Sequence, residues 1–166
     1  MPLLETERLA LNELTPDDAP FVLELLTSRA FMENIGDRGV RDLDGARGYI
    51  ERTRAGYAAN RFGLWRADVK ATGEAAGICG LVKRDGLQHP DVGYAFLERF
   101  WGSGYASESA AAALAYGRET VGLKTIVAIV QPTNAGSIAV LKRIGMKAAG
   151  LIELPGHDEA SAYFTT

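Results

Sequence analysis

The sequence predicts an α+β fold: a mixed, mostly antiparallel sheet of about six or seven strands, flanked by about four helices. Three observations predict it. Short apolar runs between residues 62 and 97 are separated by tight turns, the pattern of antiparallel hairpins. A glycine-rich turn, Arg99-Phe100-Trp101-Gly102-Ser103-Gly104-Tyr105-Ala106, joins a strand-like run to a long helix-like one. A β-branched run at residues 125–130 follows that helix, so the strands on either side of it are parallel.

The elements follow in order. Residues 8–14 read as a first strand. Thr15-Pro16-Asp17-Asp18 then opens a helix, with a capping hydroxyl, proline in the first turn and acids on the dipole. Phe21, Val22, Leu25 and Leu26 supply its apolar stripe. A loop containing Gly36 and Gly39 leads to a second helix at about residues 44–59. Residues 62–66 and 76–82 read as strands joined through Ala71-Thr72-Gly73-Glu74. Asp85-Gly86 marks the next hairpin turn, before a strand at residues 91–97. The long helix spans about residues 105–121. The strand at 125–130 is broken by Gln131-Pro132-Thr133-Asn134, which caps a helix ending at Gly145. Residues 147–154 and 160–165 read as strands around Pro155-Gly156.

Length and composition set bounds. The chain of 166 residues suits one domain over 1–166, with a sizeable core. At 47% hydrophobic and 23% charged residues it reads as soluble and globular. Glu5, Glu7 and Arg8 argue against a secretory leader, and no apolar run approaches the roughly 20 residues of a membrane span. Cys79 is the single cysteine, which excludes an intrachain disulfide and fits a cytoplasmic location. Its apolar setting reads as an inert core thiol. His89 and His157 lack metal-ligand spacing, so no metal is expected. The net charge of −3 argues against a nucleic-acid partner.

The glycine turn carries the chemistry. Between a strand and a helix, such a turn leaves unpaired N–H groups at the positive end of the helix dipole, which suits a phosphate or pyrophosphate. Gly102 and Gly104 let an anion approach the backbone, and Arg99 can add charge at the rim. Ser107 stands where a dinucleotide fingerprint needs its third glycine, and no Gly-Lys-Ser/Thr ending marks a nucleoside triphosphate loop.

A second element narrows the ligand. Asn134-x-x-Ser137 opens a helix directly after the next strand. Together with Arg99-x-x-Gly102-x-Gly104-Tyr105-Ala106, it resembles the GNAT superfamily of acyl-CoA-dependent N-acyltransferases. Thr6-Glu7-Arg8-Leu9, Gly93-Tyr94-Ala95-Phe96 and the turn itself are similar to the branch of ribosomal-protein N-terminal acetyltransferases, the RimJ/RimL type. The resemblance covers nearly the whole chain.

That resemblance implies a GNAT fold in which the parallel strands splay and acetyl-CoA, as co-substrate, lies in the gap by strand addition. Phe96 and Leu97 would bond pantetheine amides. The N–H groups of Gly102, Ser103, Gly104, Tyr105 and Ala106 would hold the pyrophosphate, with Arg99 at its rim. Asn134 would contact pantetheine while capping its helix, and Ser137 would contact CoA. The implied reaction is direct attack of a primary amine on the thioester, which needs a base, an oxyanion donor and a proton for the thiolate. A backbone N–H near Phe96 is the implied oxyanion donor. Many relatives carry a tyrosine acid seven residues after the asparagine; that position is Leu141. Ser137, one turn earlier, is the nearest hydroxyl. Asp91 is the candidate base, with His89 and Glu13 as alternatives. An α-amine, with a pKa of about 7.7–8.0, is roughly one-tenth neutral at pH 7 and could use water instead. Glu108 is read as stabilising the helix start.

Asn12 replaces an arginine of the branch, and Gly145-Met146 replaces the usual Gly-Phe, which leaves the acceptor open. The acceptor pocket is expected from residues 31–43, the second helix and residues 155–159, and Tyr49, Tyr57, Phe62 and Trp65 are candidates for lining it or for the core. A protein N-terminus, an amino acid and a small amine all remain as acceptors, and both a monomer and a homodimer as assembly. A non-catalytic acyl-CoA-binding module and an interaction protein with a structural glycine turn are the other readings.

Overall fold

A computed structural model describes residues 1–166. The strands are β1 (Leu4–Glu5), β2 (Leu9–Asn12), β3 (Leu64–Val69), β4 (Ala75–Val82), β5 (Asp91–Phe96), β6 (Val127–Val130), β7 (Lys147–Ile152) and β8 (Ser161–Thr165). The α-helices are α1 (Ala19–Thr27), α2 (Arg29–Asn34), α3 (Leu43–Asn60), α4 (Tyr105–Tyr116) and α5 (Ala135–Arg143). One sheet runs β1-β2-β3-β4-β5-β6-β8-β7, antiparallel throughout except for β5 beside β6.

Eight strands and five helices exceed the expected counts. The extra strand, β1, is a two-residue pairing of Leu4 and Glu5 against Leu11 and Ala10, too short for an alternation pattern. The extra helix, α2, is a short segment of the expected loop, started by the Ser28 side chain accepting from Phe31 N–H at 3.3 Å. The long helix is also shorter than expected: α4 passes at Gly117 into a π-turn over Gly117–Val121. There a Cβ on Gly117 would come within 2.8 Å of both Leu81 and Ile126, so glycine lets the helix end press onto the sheet.

Strand alternation sorts the side chains to two layers. Leu9, Leu11, Cys79, Leu81, Ile126 and Phe164 form a core with Ala110, Ala113 and Leu114 of α4 and Leu141 of α5. On the opposite face Ile78 and Leu97 pack with Val22, Leu25 and Leu26 of α1 and Ile50 of α3. Cys79 is buried, as its apolar run implied. A Cβ on Gly80 would collide with the Gly63 carbonyl oxygen, so β3 and β4 approach closely only because position 80 is glycine.

The feature that positions the site is a gap in the sheet. Strands β5 and β6 pair only at Asp91 and Val127, where Val127 N–H reaches Pro90 O at 3.0 Å. Beyond that point they part, as the resemblance implied. β5 is held along its length by β4, and β6 by β8, so each keeps a complete ladder on its far side. Leu97 N–H bonds Ala76 O at 2.9 Å. By antiparallel alternation, Gly93 and Ala95 also turn their backbone groups to β4, while Tyr94 and Phe96 turn theirs into the gap.

Candidate active site

A cleft of about 640 Å³ follows this gap from one face of the sheet to the other. The glycine turn, the first turn of α4 and Arg143 line one end; Asn34, Arg38, Tyr49, Arg84 and His157 line the other.

At the first end Gly102 and Gly104 have φ of 77° and 84°, in the left-handed region that favours glycine. No side chain caps α4, so its first N–H groups are left for another acceptor. Gly102, Gly104, Tyr105 and Ala106 line the cleft, joined by Ser107. Arg143, from α5, also lines it and donates to Ser107 Oγ at 3.1 Å. Arg8 stands beside the turn: its Nη2 lies 3.2 Å from where a Gly104 Cβ would be, and its guanidinium lies 4.8 Å from the Tyr105 ring centre. Glu108 fixes Arg8, accepting from its backbone N–H at 2.7 Å and its Nε at 2.8 Å, and from Thr6 Oγ1 at 2.6 Å. Partial burial pushes the Glu108 carboxyl up, but these hydrogen bonds outweigh it and hold the group below its ordinary pKa.

Three other residues expected at the cofactor, two at its anion and Leu97 at its pantetheine, stand outside the cleft lining. Arg99 donates to Glu24 at 2.6 Å, with its guanidinium over Phe100. Arg99, Ser103 and Leu97 are not among the lining residues. Leu97 is buried, and its carbonyl accepts from Phe100 N–H at 2.9 Å.

In the middle of the cleft, Phe96 turns its N–H to the gap, and its carbonyl accepts from Trp101 Nε1 at 2.8 Å. Asn134 caps α5, its Oδ1 accepting from Ser137 N–H at 3.1 Å. Ser137 Oγ lies 2.8 Å from the Tyr94 hydroxyl, which also donates to Ser137 O at 3.1 Å. Burial pushes the Tyr94 phenol up to about 12, with the Ser137 bond opposing. Leu141, one turn further along α5, is core. A phenol therefore does reach α5, but it comes from β5 across the gap.

At the far end Asp91 is buried, and its two oxygens accept from Arg84 Nε and Nη2, both at 3.3 Å. Burial raises its pKa, against the pull of the Arg84 charge. Glu13 lies outside the cleft in a shallow surface pocket, and His89 lines neither. Of the four aromatics considered for the acceptor pocket, Tyr49 lines the cleft, whereas Tyr57, Phe62 and Trp65 belong to the core. Cys79 is no nucleophile: burial pushes its thiol up to about 12.

Against this geometry, the comparisons are specific. Residues 8–147 match the acetyltransferase (GNAT) domain family. The chain belongs to the GNAT acetyltransferases. Among its relatives is the uncharacterized protein YkkB of Bacillus subtilis, 36% identical over 113 residues, an alignment covering 65% of this chain and 64% of YkkB. A crystal structure of an acetyltransferase from Agrobacterium tumefaciens is 30% identical, with a TM-score of 0.85, covering 100% of this chain and 94% of the other. The ribosomal L7/L12 N-terminal acetyltransferase RimL, solved with coenzyme A, shares the fold at a TM-score of 0.85 and 16% identity, covering 100% of this chain and 97% of its own.

In this GNAT chain, sequence reasoning missed Arg8, Arg38, Arg84, Tyr94 and Arg143. Tyr94 was visible inside Gly93-Tyr94-Ala95-Phe96, and strand alternation could have put it on the α5 side. Arg38, Arg84 and Arg143 carry no local signal, and Arg8 stands inside Thr6-Glu7-Arg8-Leu9 without a spacing that assigns it a role. Arg8 and Arg143 lie far apart in sequence, and only tertiary packing brings both to the start of α4.

Proposed function

We propose that this protein is a single GNAT domain over residues 1–166 that moves an acetyl group from acetyl-CoA to a primary amine by direct attack in a ternary complex. The observation that carries the reading is the continuous path from an uncapped, glycine-led helix start, through parted parallel strands, to a pocket containing Asp91. One end of that path fits a pyrophosphate and its middle fits an extended amide chain.

The N–H groups of Gly102, Gly104, Tyr105 and Ala106 bind the pyrophosphate, with Arg8 and Arg143 in place of Arg99 as the nearby cations. The free edge of Tyr94 and Phe96 pairs with pantetheine, and Phe96 N–H is placed to donate to the thioester oxygen. Asn134 flanks the pantetheine arm. Acetyl-CoA supplies the acetyl group as a thioester. Asp91 takes the amine proton, directly or through water, as the C–N bond forms and the C–S bond breaks. The hydroxyl pair of Ser137 and Tyr94 gives a proton to the departing sulfur through Ser137, and the proton taken up by Asp91 passes to solvent as solvent restores the pair, so that free CoA thiol and neutral amide leave an unchanged enzyme.

Coenzyme A release measured across a panel of amines tests the reading. Release with at least one amine is expected, together with a rise in melting temperature on adding acetyl-CoA. Binding without release from any amine would favour a non-catalytic acyl-CoA module, a reading supported by Leu141 in the usual tyrosine position. No thermal shift with acetyl-CoA would overturn both.

A further inference from the structure

The charges around the cleft are unequal. Arg38, Arg84 and Arg143 line it, against one carboxylate, Asp91. Arg143 belongs to the phosphate end, beside Ser107. At the other end Arg84 is matched to Asp91. Arg38 is left over: it lines the cleft and forms no ion pair in the chain.

A second observation points the same way. Tyr49 also lines this end, and its hydroxyl makes no hydrogen bond within the chain. The charges of Arg38, Arg84 and Arg52 all act on it, and Arg52 is likewise outside every ion pair. A phenol O–H and a guanidinium on one cavity, neither held by a protein acceptor, are free to bind an acceptor group brought in by a ligand. Asp91 adds the opposite polarity on the same side of the gap, suited to an ammonium or amine.

We infer that the amine acceptor carries an anionic group, a carboxylate or phosphate, a few bonds from its amine, and that Arg38 and Tyr49 bind that group while Asp91 faces the nitrogen. This rests on the N-acetyltransfer reading above. The simplest member of the class is a small amino acid. A bare hydrocarbon amine leaves both donors unpaired, and a cationic polyamine meets like charge at Arg38.

The test compares three amines on one three-carbon chain: 3-aminopropanoate, 3-aminopropylphosphonate and propylamine. Coenzyme A release gives kcat/KM for each with the wild type, Arg38→Ala, Arg38→Glu and Tyr49→Phe. The expected result is a preference of about tenfold or more for an anionic amine over propylamine, falling about tenfold in Arg38→Ala and reversing in Arg38→Glu. Whichever anion shows the effect identifies the group as carboxylate or phosphate. Position 38 is exposed, and Tyr49→Phe removes only the hydroxyl, so one variant reports even where the other fails to fold. Turnover of propylamine with no preference, or a preference that neither variant moves, overturns this inference and leaves N-acetyl transfer standing. No turnover of any amine, with acetyl-CoA still raising the melting temperature, overturns the transfer reading and this inference with it.

Discussion

Replacing Glu108 with alanine should loosen the N-terminal segment from α4 and disturb the anion end of the cleft. Three donors lose their acceptor together: Thr6 Oγ1 at 2.6 Å, Arg8 N–H at 2.7 Å and Arg8 Nε at 2.8 Å. A hydrogen bond to a charged group contributes about 1.5–3 kcal/mol. The Arg8 side chain is 45% exposed, so its ion pair is screened and adds only a few tenths of a kcal/mol, about 0.5 at most. Allowing for partial rehydration of the freed donors, the expected loss is about 2–3 kcal/mol. For a domain of this size that lowers the melting temperature by about 4–12 °C, measured by circular dichroism. The pH dependence gives an independent check. The Glu108 carboxyl is held below its ordinary value in the fold, so its stabilisation is complete above the unfolded pKa of about 4.3 and is lost as pH falls through the folded value. The gap between wild type and variant should therefore be full at neutral pH and narrower in acid. A Glu108→Ala protein melting within about 1 °C of wild type at pH 7, or an equal gap at pH 7 and pH 3, would refute the reasoning.

Three further outcomes are expected. Gly104→Val places a β-branched residue at φ 84°, with its Cβ 3.2 Å from Arg8 Nη2; calorimetry should show acetyl-CoA binding weakened at least about tenfold, and unchanged affinity would remove the turn from the site. Ser137→Ala and Tyr94→Phe should each lower kcat by about tenfold while the KM for acetyl-CoA changes little, because the hydroxyl pair acts on the departing sulfur; an unchanged turnover number in both would mean the pair is only a brace. Burial lifts the Asp91 carboxyl above its usual range, so the wild-type kcat/KM should rise with pH through a carboxylate ionisation above about 3.9. Asp91→Asn should remove that limb and slow transfer about a hundredfold, and a retained limb with near-normal rates would assign the proton to water.

Much of the fold was legible because its signals are local. Thr15-Pro16-Asp17-Asp18 opens a short 3₁₀ turn that runs into α1, with Asp18 accepting from Thr15 N–H at 2.8 Å. Asn134 caps α5 as its position after a strand implies. Elements without such signals were misjudged. β1 depends on pairing with β2, β3 runs from Leu64, paired with Gly80 of β4, to Val69, paired with Leu9 of β2, and Gly117 tightens α4 against Leu81 and Ile126.

The site divides along the same line. By itself, the sequence determined the strand, glycine turn and helix, the capping asparagine one strand later, and hence the family, because all of these are contiguous in the chain. Only the tertiary structure decided which backbone edge is free, since the facing of Tyr94 and Phe96 follows from the register of β5 on β4. It also decided which arginines stand at each end of the cleft, turning Arg99 to Glu24 and bringing Arg8, Arg38, Arg84 and Arg143 to the cleft or its rim. Long side chains meet according to how separate elements pack, and their charges act through space on partners that no spacing along the chain reveals.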